Sequence, residues 1–340
     1  MATISAPGKI IMIGDHSVVY GEPAIIASVG LRCYITVEKS DNIIFRDGKT
    51  AEEFSVDEVL SFVEDADLLW KSGFEKSDFS ELFEFMKSEK SNFRKMAVGK
   101  VLKALKIKSG AEIRIESDIP AGVGGVGASA AFAVALTKAV SDLYNKKSPL
   151  DEINRIAYEI EKIQHGNPSG GDNAACCYGG LIWFKRSSPS NTIQPLNIGY
   201  ELENFVIVNS GNRERTTGKL VQHVRNLDDK YRSSRIKALG IAANKMRAAL
   251  NNRDFESVKK LINLAQCNLA ELGVSTKNID RIAQVVVNAG GAAKLCGAGG
   301  GGTVLCFHED KERLKQAIRN AGFEPRDVEL GVEGVRTEKL

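Results

Sequence analysis

The 340-residue sequence contains no run of about 18 apolar residues, the length that a membrane-spanning helix requires. Its opening stretch, Met1 to Ser5, lacks a basic segment followed by an apolar one, so no secretory signal is read there. Both absences lead to an expectation of a cytoplasmic protein without a membrane partner. Cysteine is sparse and unpatterned: Cys33, Cys176, Cys177, Cys267, Cys296 and Cys306 show neither CxxC nor Cys/His spacing. This excludes a disulfide framework and a zinc site and predicts reduced, buried thiols. An excess of one charge is missing too. The net charge of +3 is far below the clustered basicity of a nucleic-acid binder, so no nucleic-acid partner is expected. The four histidines form no cluster, and no repeat or low-complexity segment occurs.

What is present is ordinary globular material, 43% hydrophobic and 26% charged, which excludes disordered and fibrous classes. Chains beyond roughly 250–300 residues tend to divide, and two lobes are expected. "KIIMIG" and "HSVVYGEPAIIASV" read as strands around a turn marked by Gly21 and Pro23, and "CYITVEKS" alternates as a half-buried strand. From about residue 55 to 105 the apolar spacing becomes helical. Seven of the 14 phenylalanines lie between Phe54 and Phe93. They are assigned to buried helix faces in preference to a ligand pocket. "AEIRIES" is a strand, followed by a glycine loop that opens into the helix "SAAFAVALTKAVSDLY". A second amphipathic helix, "LDEINRIAYEIEKIQHG", ends in the turn "NPSGGDN". After the strand "GGLIWFKR", "SSPSN" is the best linker, which predicts lobes at 1–186 and 187–340. Strands and helices interleave in both halves, giving an α/β or α+β class.

The loop "PAGVGGVGASAA" (120–131) carries four glycines between 122 and 127 and matches two familiar phosphate patterns as text. The dinucleotide fingerprint Gly122-x-Gly124-x-x-Gly127 fails because no β-branched strand bearing an acid follows the helix. The P-loop pattern from Gly122 to Ser129 fails because Ala128 stands where its lysine would be. A third reading needs only backbone. Successive glycines let N–H groups crowd around a phosphate, while Ser129 adds a hydroxyl at the positive end of a helix. Close helix–sheet packing alone would explain one or two of the glycines.

Two further stretches make the third reading specific: "SAPGKIIMIGDHSVVYGEPA" near the start and "KLCGAGGGG" near the end. With the central loop they have the order and spacing of the three motifs of the GHMP kinases, and the sequence resembles that superfamily nearly end to end, least across 40–105. "EKIQHGNPSGGDNA", "RERTTGKLVQHVR" and "LGVSTKNIDRI" are most similar to segments of its mevalonate kinases. The resemblance implies an α+β two-lobe fold. Its N-terminal lobe is like domain 2 of ribosomal protein S5, its C-terminal lobe is ferredoxin-like, and the active site lies in the cleft between them. A homodimer is usual in the family. The implied activity is ATP-dependent phosphorylation of the primary hydroxyl of mevalonate, with ATP and Mg²⁺ required. Another small-molecule kinase of the superfamily, or a nucleotide- or metabolite-binding sensor that has lost turnover, is the alternative.

Carried over by position, the resemblance makes Asp172 the catalytic carboxylate, whereas locally it would equally cap the next helix. Lys9 becomes its neighbour, favouring the ionised acid or the developing alkoxide. Gly122, Val123, Gly124, Gly125, Val126, Gly127, Ala128, Ser129 and Ala130 form the ATP loop. Ser129 and Glu161 hold the magnesium, a hard cation suited to oxygen ligands. Asp15, His16, Thr217, Gly297 and Ala298 fall on the acceptor side. Departures from the family pattern are an inserted residue in the glycine loop, Val126 for Leu, Ala128 for the first serine, Asp15 for Glu and Cys296 for Thr. The shortened acid at Asp15 is expected to leave room for a different acceptor.

Overall fold

The computed structural model describes residues 2–48, 50–120, 122–213 and 215–339. The first lobe opens with β1 (Thr3–Ile13), a short 3₁₀ turn, β2 (Pro23–Ser40), β3 (Ile43–Asp47) and β4 (Thr50–Phe54). The expected half-buried strand is the outer end of β2, with Ile35 and Val37 inward. Next come α1 (Val56–Lys76), α2 (Ser80–Lys87), α3 (Asn92–Leu105) and β5 (Gly110–Ser117). After the glycine loop follow α4 (Ala128–Leu143), α5 (Leu150–His165), α6 (Gly171–Tyr178), β6 (Leu181–Lys185) and β7 (Thr192–Pro195). The sheet runs β12-β1-β2-β5-β3-β4, where β12 is the C-terminal strand Arg336–Thr337, with β6 and β7 attached at the inner end of β2. The small-residue face of α4 lets it pack closely on β1 and β2, with Ala130, Ala131, Ala133, Val134 and Ala135 buried.

The second lobe comprises β8 (Phe205–Asn209), α7 (Thr217–Arg225), α8 (Asp229–Asn251), α9 (Phe255–Glu271), α10 (Lys277–Asn288), β9 (Ala292–Leu295), β10 (Thr303–Phe307), α11 (Lys311–Asn320) and β11 (Pro325–Asp327). Its sheet has the order β11-β8-β10-β9 and is antiparallel throughout, the ferredoxin-like arrangement. Side-chain caps start its helices: Thr216, Asp228, Asp254, Thr276 and Asp310 each accept a backbone N–H of the first turn. The β-branched run Val285–Val287 is helical within α10, with Val286 on its buried face.

Past β11 the chain returns to the first lobe and ends in β12 (Arg336–Thr337), which pairs with Ile4 and Ser5 of β1. Buried Arg32 fixes this tail, donating to the carbonyls of Glu333 (2.9 Å) and Gly334 (2.6 Å) and to Ser5 Oγ (2.7 Å). The pairing of β6 with β7 runs across the boundary expected at 186/187. "SSPSN" is the tip of a β6–β7 hairpin, and the crossing to the second lobe follows Pro195.

Most of the phenylalanines between 54 and 93 pack on the core as expected, while Phe74 is exposed. Five cysteines are buried and Cys267 is exposed, so the expectation of wholly buried thiols fails at one position; all six are free. Among the described residues no helix is long and apolar enough to cross a membrane.

Candidate functional site

The glycine loop lies between the lobes. Gly122, Gly125 and Gly127 adopt φ of 76°, 101° and 74°, conformations that L side chains rarely take. Gly127 has a second requirement, because a Cβ there would lie 2.8 Å from Cγ of Lys9. Val126 is buried, and its carbonyl accepts the Lys9 backbone N–H at 2.8 Å. The loop is thus folded around the lysine stem. No side chain caps α4, so its first-turn N–H groups face the loop as unused donors. The second lobe closes over it: Thr303 N–H donates to Gly124 C=O at 3.0 Å. A Cβ on Gly125 would meet the Cys296 carbonyl oxygen at 2.7 Å.

Beneath the loop, Lys9 Nζ lies 3.0 Å from Asp172 Oδ2. Burial works against the Lys9 charge, but the charge and hydrogen bond of Asp172, with Asp15 behind it, outweigh burial and raise its pKa. Lys9 therefore stays protonated at neutral pH. Asp172 sits in the first turn of α6 and makes no cap bond; the cap position is Gly170, whose φ is 87°. The local alternative of Asp172 as a helix cap is thereby removed, and a side chain one-third exposed faces the cleft from one side while a buried cation holds the other.

At the end of α5, Glu161 Oε2 and Ser129 Oγ each lie 3.4 Å from His165 Nε2. Glu161 is almost fully buried, and its Oε1 has no hydrogen-bond partner. Burial works against a charged His165, but Glu161 outweighs it and raises the pKa. Among the described residues no group of three or more His, Cys, Asp or Glu could hold a metal alone.

Asp15, His16, Gly297 and Ala298 come together, but as partners of one another. Asp15 Oδ1 accepts the Gly297 N–H at 2.6 Å, and Oδ2 lies 2.5 Å from Lys294 Nζ; both side chains are fully buried. Lys294 also donates to the Ile11 carbonyl at 2.9 Å. His16 Nε2 bonds the Ala298 carbonyl at 3.0 Å. These contacts, one of them the ion pair of Asp15 with Lys294, clamp the lobes together. Thr217, at the start of α7, accepts Arg213 Nη1 at 3.0 Å.

Two family profiles match the chain: "GHMP kinases N terminal domain" over residues 92–180 and "GHMP kinases C terminal" over residues 246–325. Mevalonate kinase of Pyrococcus abyssi is 30% identical over 99% of this chain and 97% of its own length. The chain belongs to the mevalonate kinase family of GHMP kinases. The Thermococcus gammatolerans mevalonate kinase is likewise 30% identical, over 99% of this chain and 98% of its own. The crystal structure of the Methanococcus jannaschii mevalonate kinase superposes with a TM-score of 0.77 at 26% identity, covering 96% of this chain and 98% of that one.

Within the family site, three residues had drawn no role from the sequence. His165 lies in the run "EKIQHG", Lys294 stands three residues before the last glycine run, and Arg213 opens the segment that leads into α7. Lys294 meets partners up to 283 positions away, which no local pattern marks, whereas His165 and Arg213 each also have a partner four residues away, Glu161 and Thr217.

The clamp has a pH signature. Burial lowers the His16 pKa from its ordinary 6.5, although the Ala298 bond and Asp15 oppose this. The fold thus disfavours protonated His16, so its contribution to stability is whole above pH 6.5 and is lost as pH falls through the depressed folded value. His16 thus contributes a drop in the urea midpoint between pH 7.5 and pH 5, opposed by His165, whose raised pKa makes its own contribution grow as pH falls. His16→Asn, which accepts the φ of 59° at this position, should flatten that drop. An unchanged pH slope in the variant would contradict this assignment.

Proposed function

We infer that the chain transfers the γ-phosphoryl group of ATP to the primary hydroxyl of mevalonate, giving 5-phosphomevalonate and ADP. The observation that carries this reading is the Lys9–Asp172 pair set directly under the glycine loop. Phosphoryl transfer requires an oriented hydroxyl and fixed countercharge rather than elaborate covalent machinery. Asp172 accepts the hydroxyl proton or a hydrogen bond from it. Lys9, 3.0 Å away, holds that carboxylate in place and stabilises the forming alkoxide. Residues 122–130 present backbone donors to the phosphate chain. The orphaned Oε1 of Glu161 and the Ser129 hydroxyl suit a hard cation, and would hold Mg²⁺ with its remaining ligands coming from phosphate oxygens and water. Bound there, Mg²⁺ supplies countercharge to the phosphates.

An ADP-release assay with ATP and Mg²⁺, run in parallel with mevalonate, homoserine, galactose and phosphomevalonate, tests the reading. Release with mevalonate alone is expected. Release with another acceptor only, or with none, refutes the assignment. Glu161→Gln should raise the Mg²⁺ concentration for half-maximal rate by about tenfold or more, as expected for removing a charged ligand. An unaltered Mg²⁺ dependence would remove Glu161 from that role.

A further inference from the structure

Residues 166–170 join the end of α5 to the start of α6, and so connect the helix of Glu161 and His165 to the first turn that carries Asp172. This turn lies outside both helices, and side chains take up its carbonyls. Trp70 Nε1–H donates to Gly166 at 2.7 Å, Asn191 Nδ2 to Ser169 at 3.0 Å and the Tyr158 hydroxyl to Pro168 at 3.4 Å. The shortest of the three bonds comes from α1, 96 positions earlier in the chain.

Gly166 is the point at which the chain leaves α5. It is buried, with φ of 75° and ψ of −73°, and a Cβ there would lie 2.6 Å from Cδ2 of Phe79. A buried carbonyl deprived of its donor is costly, so the Trp70 bond favours this one conformation of the turn. The indole is itself held. Phe74 stacks on it with ring centroids 5.2 Å apart, and Lys162 Nζ lies 4.8 Å from its centroid. Phe74, exposed against expectation, thereby has a use as the cover of the indole. All three aromatic residues come from the stretch that resembles the superfamily least, so none of the family motifs includes them.

The turn leads directly into Asp172, whose carboxylate meets Lys9 at 3.0 Å on one side and the cleft on the other. Phosphoryl transfer depends on the aim of that group, and a displacement of about 1 Å can cost about 10²-fold in rate. We propose that Trp70 is a positioning residue for the transfer, acting through the Gly166 carbonyl to hold the turn that aims Asp172. This rests on the kinase reading above but not on the identity of the acceptor.

The test compares Trp70→Phe, which keeps an aromatic ring beside Phe74 and removes the N–H donor, with the parent chain. Three quantities are read: steady-state kinetics, ADP affinity by calorimetry, and amide hydrogen exchange across residues 166–172. The expected result is kcat lower by about three- to tenfold, with KM for ATP and acceptor and the ADP affinity unchanged, and faster exchange in the turn. Faster exchange at unchanged kcat would make Trp70 a packing residue. Equal weakening of ADP and acceptor binding at constant kcat would make it a general prop of the cleft. Unchanged exchange would show that the bond does not hold the turn. Each of these three overturns the proposal. Should Trp70→Phe not fold, benzothienylalanine at position 70 in a Trp183→Phe background keeps the ring shape with sulfur in place of N–H, and the same readings apply against that background. If the parent chain phosphorylates no tested acceptor, the acceptor assignment falls, and the exchange result alone decides whether Trp70 holds the turn.

Discussion

Asp172→Asn should reduce kcat by about 10²- to 10⁴-fold, the range for removing a positioned general base, with ATP affinity largely unchanged. The amide keeps the size of the side chain and its place in the first turn of α6, but it cannot take a proton from the acceptor. It also leaves the Lys9 ammonium, 3% exposed, without its carboxylate. The fold loses some stability too, moderated because the Asp172 side is one-third open to water. Lys9→Met separates the two effects. It should lower kcat while leaving the carboxylate in place, and the double variant should be far less than additively impaired if the pair acts as a unit. Wild-type turnover in Asp172→Asn would remove the proposed mechanism. Loss of ATP binding would mean that the residue acts on the nucleotide rather than on the acceptor.

The second large effect is on stability. Asp15→Asn preserves an acceptor for the Gly297 N–H but leaves Lys294, with no exposed side-chain surface, carrying an unpaired buried charge. Breaking one partner of such a pair costs about 3–5 kcal/mol. Denaturant unfolding should show the loss, and Asp15→Asn with Lys294→Met should recover much of it, because the cost lies in the stranded charge rather than the missing attraction. A single variant as stable as the parent would show that water reaches Lys294. Asp15→Glu is instructive in the other direction: both oxygens already meet their partners at 2.5–2.6 Å, so an added methylene must push the lobes apart.

The parts of the site legible in the sequence are those whose chemistry is local. The run from Gly122 to Ser129 declares its purpose because three of its glycines need positive φ and a fourth needs an empty Cβ position. The turn before Asp172 marks a helix start within eight residues of the end of α5, which fixes Glu161 and Asp172 near each other. Alternation and helical spacing likewise expose the order of strands and helices. What stays hidden is pairing across the cleft. Asp15 reads as one residue of a short motif, yet its partners are 279 and 282 positions away, so its duty as a clamp rather than an acceptor contact needs the folded chain. Arg213 is one basic residue in a basic segment until the fold lays it on Gly124. The segment "SSPSN" is ambiguous for a similar reason: a polar, proline-containing hairpin tip and an interlobe linker have the same composition, and only the pairing of β6 with β7 shows the hairpin.

The return of the chain to β1 governs how the cleft can open. Thr3 accepts from the Glu338 N–H at 2.8 Å, and Arg32 binds the incoming tail, so the second lobe is spliced into the first and tethered at both of its ends. A lobe on a single tether can swing and twist freely, whereas two roots confine it to rotation about the line that joins them. The two roots of the second lobe, together with the contacts of Asp15 and His16, restrict where Gly297, Ala298 and Arg213 can stand over the glycine loop.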